Sequence, residues 1–122
     1  KKPKLNIYGN NYNTKDGTCV RDYIHVTDLA DIHIKGIKYL KENKKSFILN
    51  CGYGKGYSVL QIANRFKKIR KNTQINFMKR RPGDIAISYA DASKAKNELN
   101  WEAKLTIEDM VRDSWNFEKN LK

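Results

Sequence analysis

Side chains that could bind a metal ion or form disulfides are few in this sequence. It contains two cysteines, Cys19 and Cys51, and two histidines, His25 and His33. The cysteines lack CxxC spacing, so they indicate reduced thiols in a cytoplasmic protein. A zinc site would need these four scattered residues to converge. No G-x-S-x-G motif is present, and neither histidine stands in a recognisable relation to a nucleophile. We therefore interpret both histidines as structural.

Long apolar segments are also absent. The apolar segment at the predicted strand 47–50 is far shorter than the ~20 residues of a membrane helix. The first five residues include three lysines with no apolar segment behind them, so a secretory signal is not predicted. The sequence does not begin with methionine. We expect it to start inside a longer protein.

Acidic residues are outnumbered by basic ones. The sequence has 25 Lys and Arg against 13 Asp and Glu, a formal net charge of +12. Basic residues cluster at 1–4, 67–71 and 79–81, which leaves a nucleic-acid-binding domain open as an alternative. No zinc finger, RNP-like strand or helix-turn-helix pattern accompanies the charge. We interpret most of it as solvated surface and expect neither nucleic acid nor a membrane as a partner.

The mixture of strand and helix patterns predicts a single α/β domain, α+β-like in arrangement, over residues 1–122. Helices are expected after Thr27 as N-cap, from Ser58 in a capping box with Gln61, from about Asp91 or Ser93 to Leu99, and from Thr106. Strands are expected at Lys4–Tyr8, Val20–Val26, Phe47–Asn50, Gln74–Met78 and Ile85–Tyr89.

Apolar residues at helical spacing define the faces that two of these helices should bury. In the first helix they are Leu29, Ile32, Gly36, Ile37 and Leu40. In the fourth they are Ile107, Met110, Val111 and Trp115.

A glycine-rich segment, residues 51–58, lies between a predicted strand and a predicted helix, where a phosphate-binding loop would lie. A P-loop needs Gly-Lys-Ser/Thr, but Lys55 is followed by Gly56. A dinucleotide fingerprint needs a further glycine where Tyr57 stands. The segment is therefore interpreted as a tight turn that leads into a capped helix.

Two arginines have unusual neighbours. Arg21 lies within an otherwise apolar strand pattern, where a charge is costly unless paired. Arg81 precedes Pro82 and Gly83, whose turn fixes the direction of Asp84. Two guanidinium groups could bind a pyrophosphate, and a nearby carboxylate could accept hydrogen bonds from ribose hydroxyls. The residues alone leave an alternative open, in which Arg21–Asp22 and Arg81–Asp84 are structural ion pairs.

Read as strings, these segments resemble the UDP-glucose 4-epimerases, which are extended short-chain dehydrogenase/reductase enzymes. The resemblance spans nearly the whole chain in the expected order. Its motifs are YGNNYNTKDGTCVRDYIHV at 8–26, DLAD at 28–31, NCGYGKGYSV at 50–59, RRPGD at 80–84, YADASKA at 89–95, ELNW at 98–101 and IEDM at 107–110.

The resemblance implies a two-lobed enzyme of which this chain is the carboxy-terminal, substrate-binding lobe. In the family an amino-terminal Rossmann domain binds NAD through G-x-x-G-x-x-G and carries a catalytic Y-x-x-x-K pair. Neither motif occurs in this sequence. Carried over by position, the family's roles are pyrophosphate binding for Arg21 and Arg81, ribose binding for Asp84, and lining of the uracil pocket for Asn6 and Tyr8.

The resemblance also implies the reaction, which is inversion at C4 of a UDP-hexose through transient oxidation by NAD. The family fills the position of Ser88 with either a bulky aromatic or a small residue, and the small choice is associated with N-acetylated sugars. Ser88 therefore suggests UDP-GlcNAc as an additional substrate. The whole enzyme is expected to be a homodimer, and this chain alone to be monomeric and inactive. A non-catalytic nucleotide-sugar-binding remnant remains an alternative.

Overall fold

The computed structural model describes residues 4–121. Lys1 and Lys2, which belong to the basic cluster at 1–4, lie outside this range. Strands and helices are interspersed along the chain, which agrees with the predicted α/β class. In chain order the elements are β1 (Lys4–Tyr8), β2 (Val20–Asp22), α1 (Val26–Asn43), β3 (Gly56–Ser58), α2 (Val59–Ile69), β4 (Gln74–Met78), β5 (Ile87–Ser88), α3 (Ser93–Leu99) and α4 (Ile107–Asn120).

The strands form two small sheets. In one, β1 pairs with β4 in parallel, with Lys4 opposite Gln74 and Tyr8 opposite Met78. In the other, β2 is central, antiparallel to β3 and parallel to β5. Helix α2 leads from β3 to β4 and packs against β1 and α4. The chain thereby passes from one sheet to the other within residues 56–78.

The predicted starts of two helices are confirmed. The Ser58 side chain accepts from the Gln61 amide at 3.1 Å, and the Gln61 side chain accepts from the Ser58 amide at 2.9 Å. Thr106 and Asp109 form the same reciprocal pair at the start of α4. Each pair satisfies two backbone donors that the first turn of a helix leaves open.

The predicted N-cap of α1 was wrong. The cap is His25, whose Nδ1 accepts a hydrogen bond from the Thr27 amide at 3.1 Å. An imidazole nitrogen serves here in place of the hydroxyl oxygen that the sequence pattern favoured. The helix therefore begins at Val26 and limits the strand predicted at Val20–Val26 to Val20–Asp22.

Two further strand predictions need correction. Phe47–Asn50 forms no strand, since it pairs with none of the strands in the described part of the chain, and its Ile48 is 87% exposed. The strand predicted at Ile85–Tyr89 shortens to Ile87–Ser88, which pairs only with Val20 and Arg21. Strand β3 was not predicted, because it forms inside the glycine-rich segment by pairing with β2.

The core centres on Trp101, which is 1% exposed and packs with Ile32 and Ala95. Ile107 and Val111 of the predicted α4 stripe are buried, whereas Met110 and Trp115 are half-buried. The predicted face of α1 is only partly covered, since Leu29, Ile37 and Leu40 are exposed. Among the described helices, none has the length and apolar character to cross a membrane.

Candidate functional site

Asn6 and Tyr8 lie on the exposed face of β1. Residues two apart on a strand point to the same side, so both face away from Ile7, which is buried at 1% exposure. The Asn6 Oδ1 accepts a long hydrogen bond of 3.4 Å from Asn76 Nδ2 on β4. The two predicted uracil-pocket residues therefore share one open surface of the β1–β4 sheet.

Arg81 lies beside this surface. Its guanidinium carbon is 4.8 Å from the centre of the Tyr8 ring, a cation–π contact. The turn at Pro82 and Gly83, where Gly83 has φ +85°, brings Asp84 back so that Arg81 Nε donates to Asp84 Oδ2 at 3.1 Å. The Arg81 side chain remains 63% exposed. A planar cation, an aromatic face and a carboxylate are therefore held together and remain accessible.

Arg21 and Ser88 form a second group. They stand opposite each other in the β2–β5 pairing, and Tyr57 stands opposite Arg21 on β3. Arg21 Nη1 donates to the Val20 carbonyl at 2.8 Å. Both residues line an open cleft of about 410 Å³. Its other lining residues are Asp22, Asn50, Tyr89, Ala90 and Asp91.

The two groups are joined by residues 79–88, which lead from β4 to β5 and carry Arg81, Asp84 and Ser88. The predicted site residues therefore lie in two local groups. Asn6, Tyr8, Arg81 and Asp84 form the first, and Arg21 and Ser88 form the second.

The ion-pair alternative applies to only one of the two arginines. Arg81 and Asp84 do pair, but Asp22 bonds to backbone amides. Its Oδ1 accepts from Tyr53 at 2.8 Å, and its Oδ2 accepts from Gly54 at 3.0 Å and from Ala90 at 3.1 Å. The Asp22 carboxylate therefore ties two loops to β2.

These contacts also show what the glycine-rich segment does. A phosphate-binding loop presents free amides to its ligand, whereas the amides of Tyr53 and Gly54 are already bound to Asp22. A Cβ at Gly52 would collide with the same carboxylate. The prediction of a tight turn that leads into a capped helix is confirmed, and the described loop does not fit a dinucleotide.

Sequence reasoning missed two residues that shape the site. Asp22 was considered only as a partner of Arg21. Arg80 received no separate role, yet its Nε donates to Asn11 Oδ1 at 2.7 Å and its guanidinium lies 3.9 Å from the Tyr12 ring centre. The only signal for Arg80 was its place next to Arg81. Its partners lie 69 residues away, where no local pattern indicates them.

Three titratable groups near β2 and the glycine-rich segment have shifted pKa values. Burial raises the pKa of Tyr23, with the nearby Arg21 acting in the opposite direction. Burial also raises the pKa of Cys51, and the charges of Asp22 and Asp28 add to this, so the thiol stays protonated. Burial acts to raise the pKa of Asp16, but hydrogen bonds from Ser58 and Thr18 outweigh it and leave the pKa lowered.

Within residues 4–121, no three His, Cys, Asp or Glu side chains are grouped as metal ligands would be. Two arginines and an open aromatic surface are instead suited to an anionic ligand that carries a planar ring.

The comparisons with known proteins identify the class. A family model described as GDP-mannose 4,6 dehydratase matches residues 1–114, and the chain belongs to this family.

Within it, the chain is 48% identical to the UDP-glucose 4-epimerase of Bacillus subtilis, over 96% of its own length and 35% of that protein. It resembles a crystal structure of UDP-glucose-4-epimerase from Stenotrophomonas maltophila with bound NAD and formylated UDP-arabinopyranose. The TM-score is 0.92, the identity is 40%, and the match covers 97% of this chain and 35% of the other.

A UDP-Glc/GlcNAc 4-epimerase from Campylobacter jejuni matches with a TM-score of 0.85 and 39% identity, over 98% of this chain and 37% of that one. The predicted resemblance to UDP-glucose 4-epimerases is confirmed, and the chain spans about a third of the length of these relatives.

Proposed function

We propose that this chain is the UDP-sugar-binding part of a UDP-glucose 4-epimerase and forms one domain. The observation that carries the proposal is the contact of the Arg81 guanidinium with the Tyr8 ring, beside Asp84 and on the open face of β1. The similarity to UDP-glucose 4-epimerases over nearly the whole chain supports it.

Each residue has a role in this proposal that its chemistry supports. Asn6 and Tyr8 line the uracil pocket, and Asp84 accepts hydrogen bonds from the ribose hydroxyls. Arg81 binds the pyrophosphate, since a guanidinium pairs with phosphate oxygens in a bidentate way. Arg21 binds the other end of the pyrophosphate from the cleft that it shares with Ser88. Anchoring the UDP end confines the sugar while leaving it free to turn over.

The redox chemistry of the reaction is proposed to lie outside these residues. The glycine-rich loop, whose Tyr53 and Gly54 amides are bound to Asp22, does not fit NAD. We propose that a Rossmann domain of the complete protein binds NAD and supplies the catalytic Tyr and Lys. Bound in that domain, NAD would supply the reversible hydride transfer at C4 of the sugar. The 122-residue chain alone should therefore show no epimerase activity. The complete enzyme is proposed to be a cytoplasmic homodimer and this chain alone a monomer, which light scattering after size-exclusion chromatography would test.

We further propose that the sugar pocket accepts N-acetylated hexoses. Ser88 is exposed and lines the cleft with Arg21, so its small side chain leaves room that an aromatic residue would fill. Ser88→Tyr in the complete protein should abolish turnover of UDP-GlcNAc while UDP-glucose is still converted. Equal activity of the two forms on UDP-GlcNAc would contradict this proposal.

The binding proposal is tested by calorimetric titration of the complete protein with UDP and UDP-glucose. Arg81→Ala should weaken UDP binding by about tenfold to a hundredfold, the loss expected for a hydrogen-bonded charge pair. Arg112→Ala is the matched control, because Arg112 is 56% exposed and also pairs with an aspartate three residues away. Unchanged UDP affinity in Arg81→Ala would refute the assignment of Arg81.

A second candidate function rests on the distribution of charge. Residues 43–83 contain eleven Lys and Arg and no Asp or Glu. A nucleic-acid-binding surface on this segment predicts binding to RNA or DNA that falls steeply with salt and is unaffected by UDP.

A non-catalytic remnant, in contrast, would bind UDP-sugar but show no turnover even as the complete gene product.

A further inference from the structure

Arg80 forms a clamp between two loops. Its Nε donates to the Asn11 side-chain oxygen at 2.7 Å, and its Nη2 donates to the Asn11 backbone carbonyl. The same guanidinium stacks on the ring of Tyr12, with its carbon 3.9 Å from the ring centre. One side chain of residues 79–84 is thus fixed to residues 9–12 by two hydrogen bonds and a cation–π contact.

The loop that receives Arg80 is itself rigid. The Tyr12 side chain is buried, and Gly9 has φ +87°, a conformation that favours glycine. The Gly9 amide donates to the Met78 carbonyl at 2.9 Å, which extends the β1–β4 pairing by one bond. A Cβ at Gly9 would press into the Tyr12 ring and come within 2.8 Å of Arg80 Cγ. The clamp is therefore tightly packed as well as hydrogen-bonded.

The residues of the clamp are next in sequence to the two residues that carry the proposed function. Tyr8 directly precedes Gly9, and Arg81 directly follows Arg80. Arg81 is mostly exposed, and its described contacts are the Tyr8 ring and Asp84 of its own turn. An exposed arginine held so lightly has a large rotational entropy to lose on binding an anion. Fixing the backbone at residue 80 reduces the conformational entropy that Arg81 loses on binding.

We infer that Arg80 is a positioning residue for the UDP-sugar: it holds the backbone from which Arg81 reaches over Tyr8. This inference rests on the proposed function, because it assigns Arg80 an effect on UDP affinity that is exerted through Arg81. Charge alone does not suffice for this role. Lysine would keep the charge, but it lacks the planar fork that bonds two oxygens of Asn11 and stacks on Tyr12 at once.

The test is a double-mutant cycle in the complete protein, with UDP binding measured by calorimetry. Arg80→Lys should raise the Kd for UDP about tenfold (~1.4 kcal/mol). In an Arg81→Ala background the same change should leave the Kd unaltered, because the group that it positions is gone. Asn11→Ala, which removes the other half of the side-chain bond, should reproduce the effect of Arg80→Lys.

Two further measurements separate positioning from a general loss of stability. The melting temperature should fall by the same amount when Arg80→Lys is made in either background, because the loop contacts are lost in both. In the epimerase assay KM should rise while kcat is largely retained, since the altered residue acts on substrate anchoring.

The outcomes are distinguishable. An unchanged Kd in Arg80→Lys, or an equal increase in both backgrounds, would overturn the positioning role while leaving the proposed function intact. An unchanged Kd in Arg81→Ala would refute the assignment of Arg81, and an absence of UDP binding by the unaltered complete protein would overturn the proposed function itself.

Discussion

The Asp22 carboxylate accepts hydrogen bonds from three backbone amides, and its removal gives a quantitative test of how these bonds stabilise the fold. Asp22→Ala would take away the acceptor of three amides, those of Tyr53, Gly54 and Ala90. These amides belong to two loops that are far apart in sequence, so both loops would lose their attachment to β2.

The expected cost follows from the number and type of these bonds. A hydrogen bond to a charged group contributes about 1.5–3 kcal/mol. Gly54 is exposed, so water can replace its bond, whereas Tyr53 and Ala90 are half-buried. We therefore expect a loss of about 3–5 kcal/mol in the free energy of unfolding, a large part of the ~5–15 kcal/mol typical of a domain.

Urea unfolding followed by circular dichroism measures this loss. Asp31→Ala is the control, because Asp31 is a half-buried aspartate on α1 with no side-chain hydrogen bond to these loops. Asp22→Asn should cost less than Asp22→Ala, since one oxygen still accepts. A loss below about 1 kcal/mol in Asp22→Ala would refute the idea that this carboxylate holds the loops.

Three further predictions follow from local geometry. Ser58→Ala should lower the free energy of unfolding by about 1–2 kcal/mol in urea titrations, because it breaks the α2 capping box, and no change would contradict that role. Gly83→Ala should lower the free energy of unfolding by about 1 kcal/mol, because only the positive φ opposes the new side chain. Gly9→Ala should lower it by ~2 kcal/mol more, because its Cβ also meets Tyr12 and Arg80. Equal melting temperatures of the two variants would argue against the clamp. Hydrogen bonds from Thr106, with Arg112 as a further partner, lower the pKa of Asp109 to about 2. The stabilisation that the ionised Asp109 provides is present at pH values above the ordinary aspartate pKa of about 4. It is lost as the pH falls towards 2. Asp109→Asn should therefore flatten the decline of the urea midpoint with acid, and an unaltered slope would contradict this assignment.

The features that could be predicted from sequence are those that short segments determine. The capping pairs at Ser58 and Thr106 span three residues, so their residue types alone mark the helix starts. The Arg81–Asp84 pair is equally local, because Pro82 and Gly83 impose the turn. In each case the interacting groups are neighbours in the chain, and no tertiary contact was needed to indicate them.

The features that were missed depend on distant partners. Strand β3 exists only because β2 lies beside residues 56–58, and Phe47–Asn50 has a strand pattern without a described strand to pair with. The contacts of Asp22 and Arg80 reach across 31 to 69 residues. The cap of α1 is His25 and not Thr27, and the His25 Nε2 lies 3.2 Å from Asp113 Oδ2 on α4, a contact across 88 residues. Patterns in one sequence carry little information about such pairs.

The parallel pairing of β1 with β4 also sets the order in which this chain can become functional. Lys4 pairs with Gln74, so the sheet closes only after about seventy residues have been brought together, a contact of high sequence separation. Tyr8 and Arg81 meet at the end of this ladder. Under the proposed function, a nascent chain that has not yet emerged beyond Asp84 lacks part of the UDP site, so UDP binding would report that the ladder has formed. UDP bound at this proposed site should therefore stabilise β1 and β4 against unfolding together.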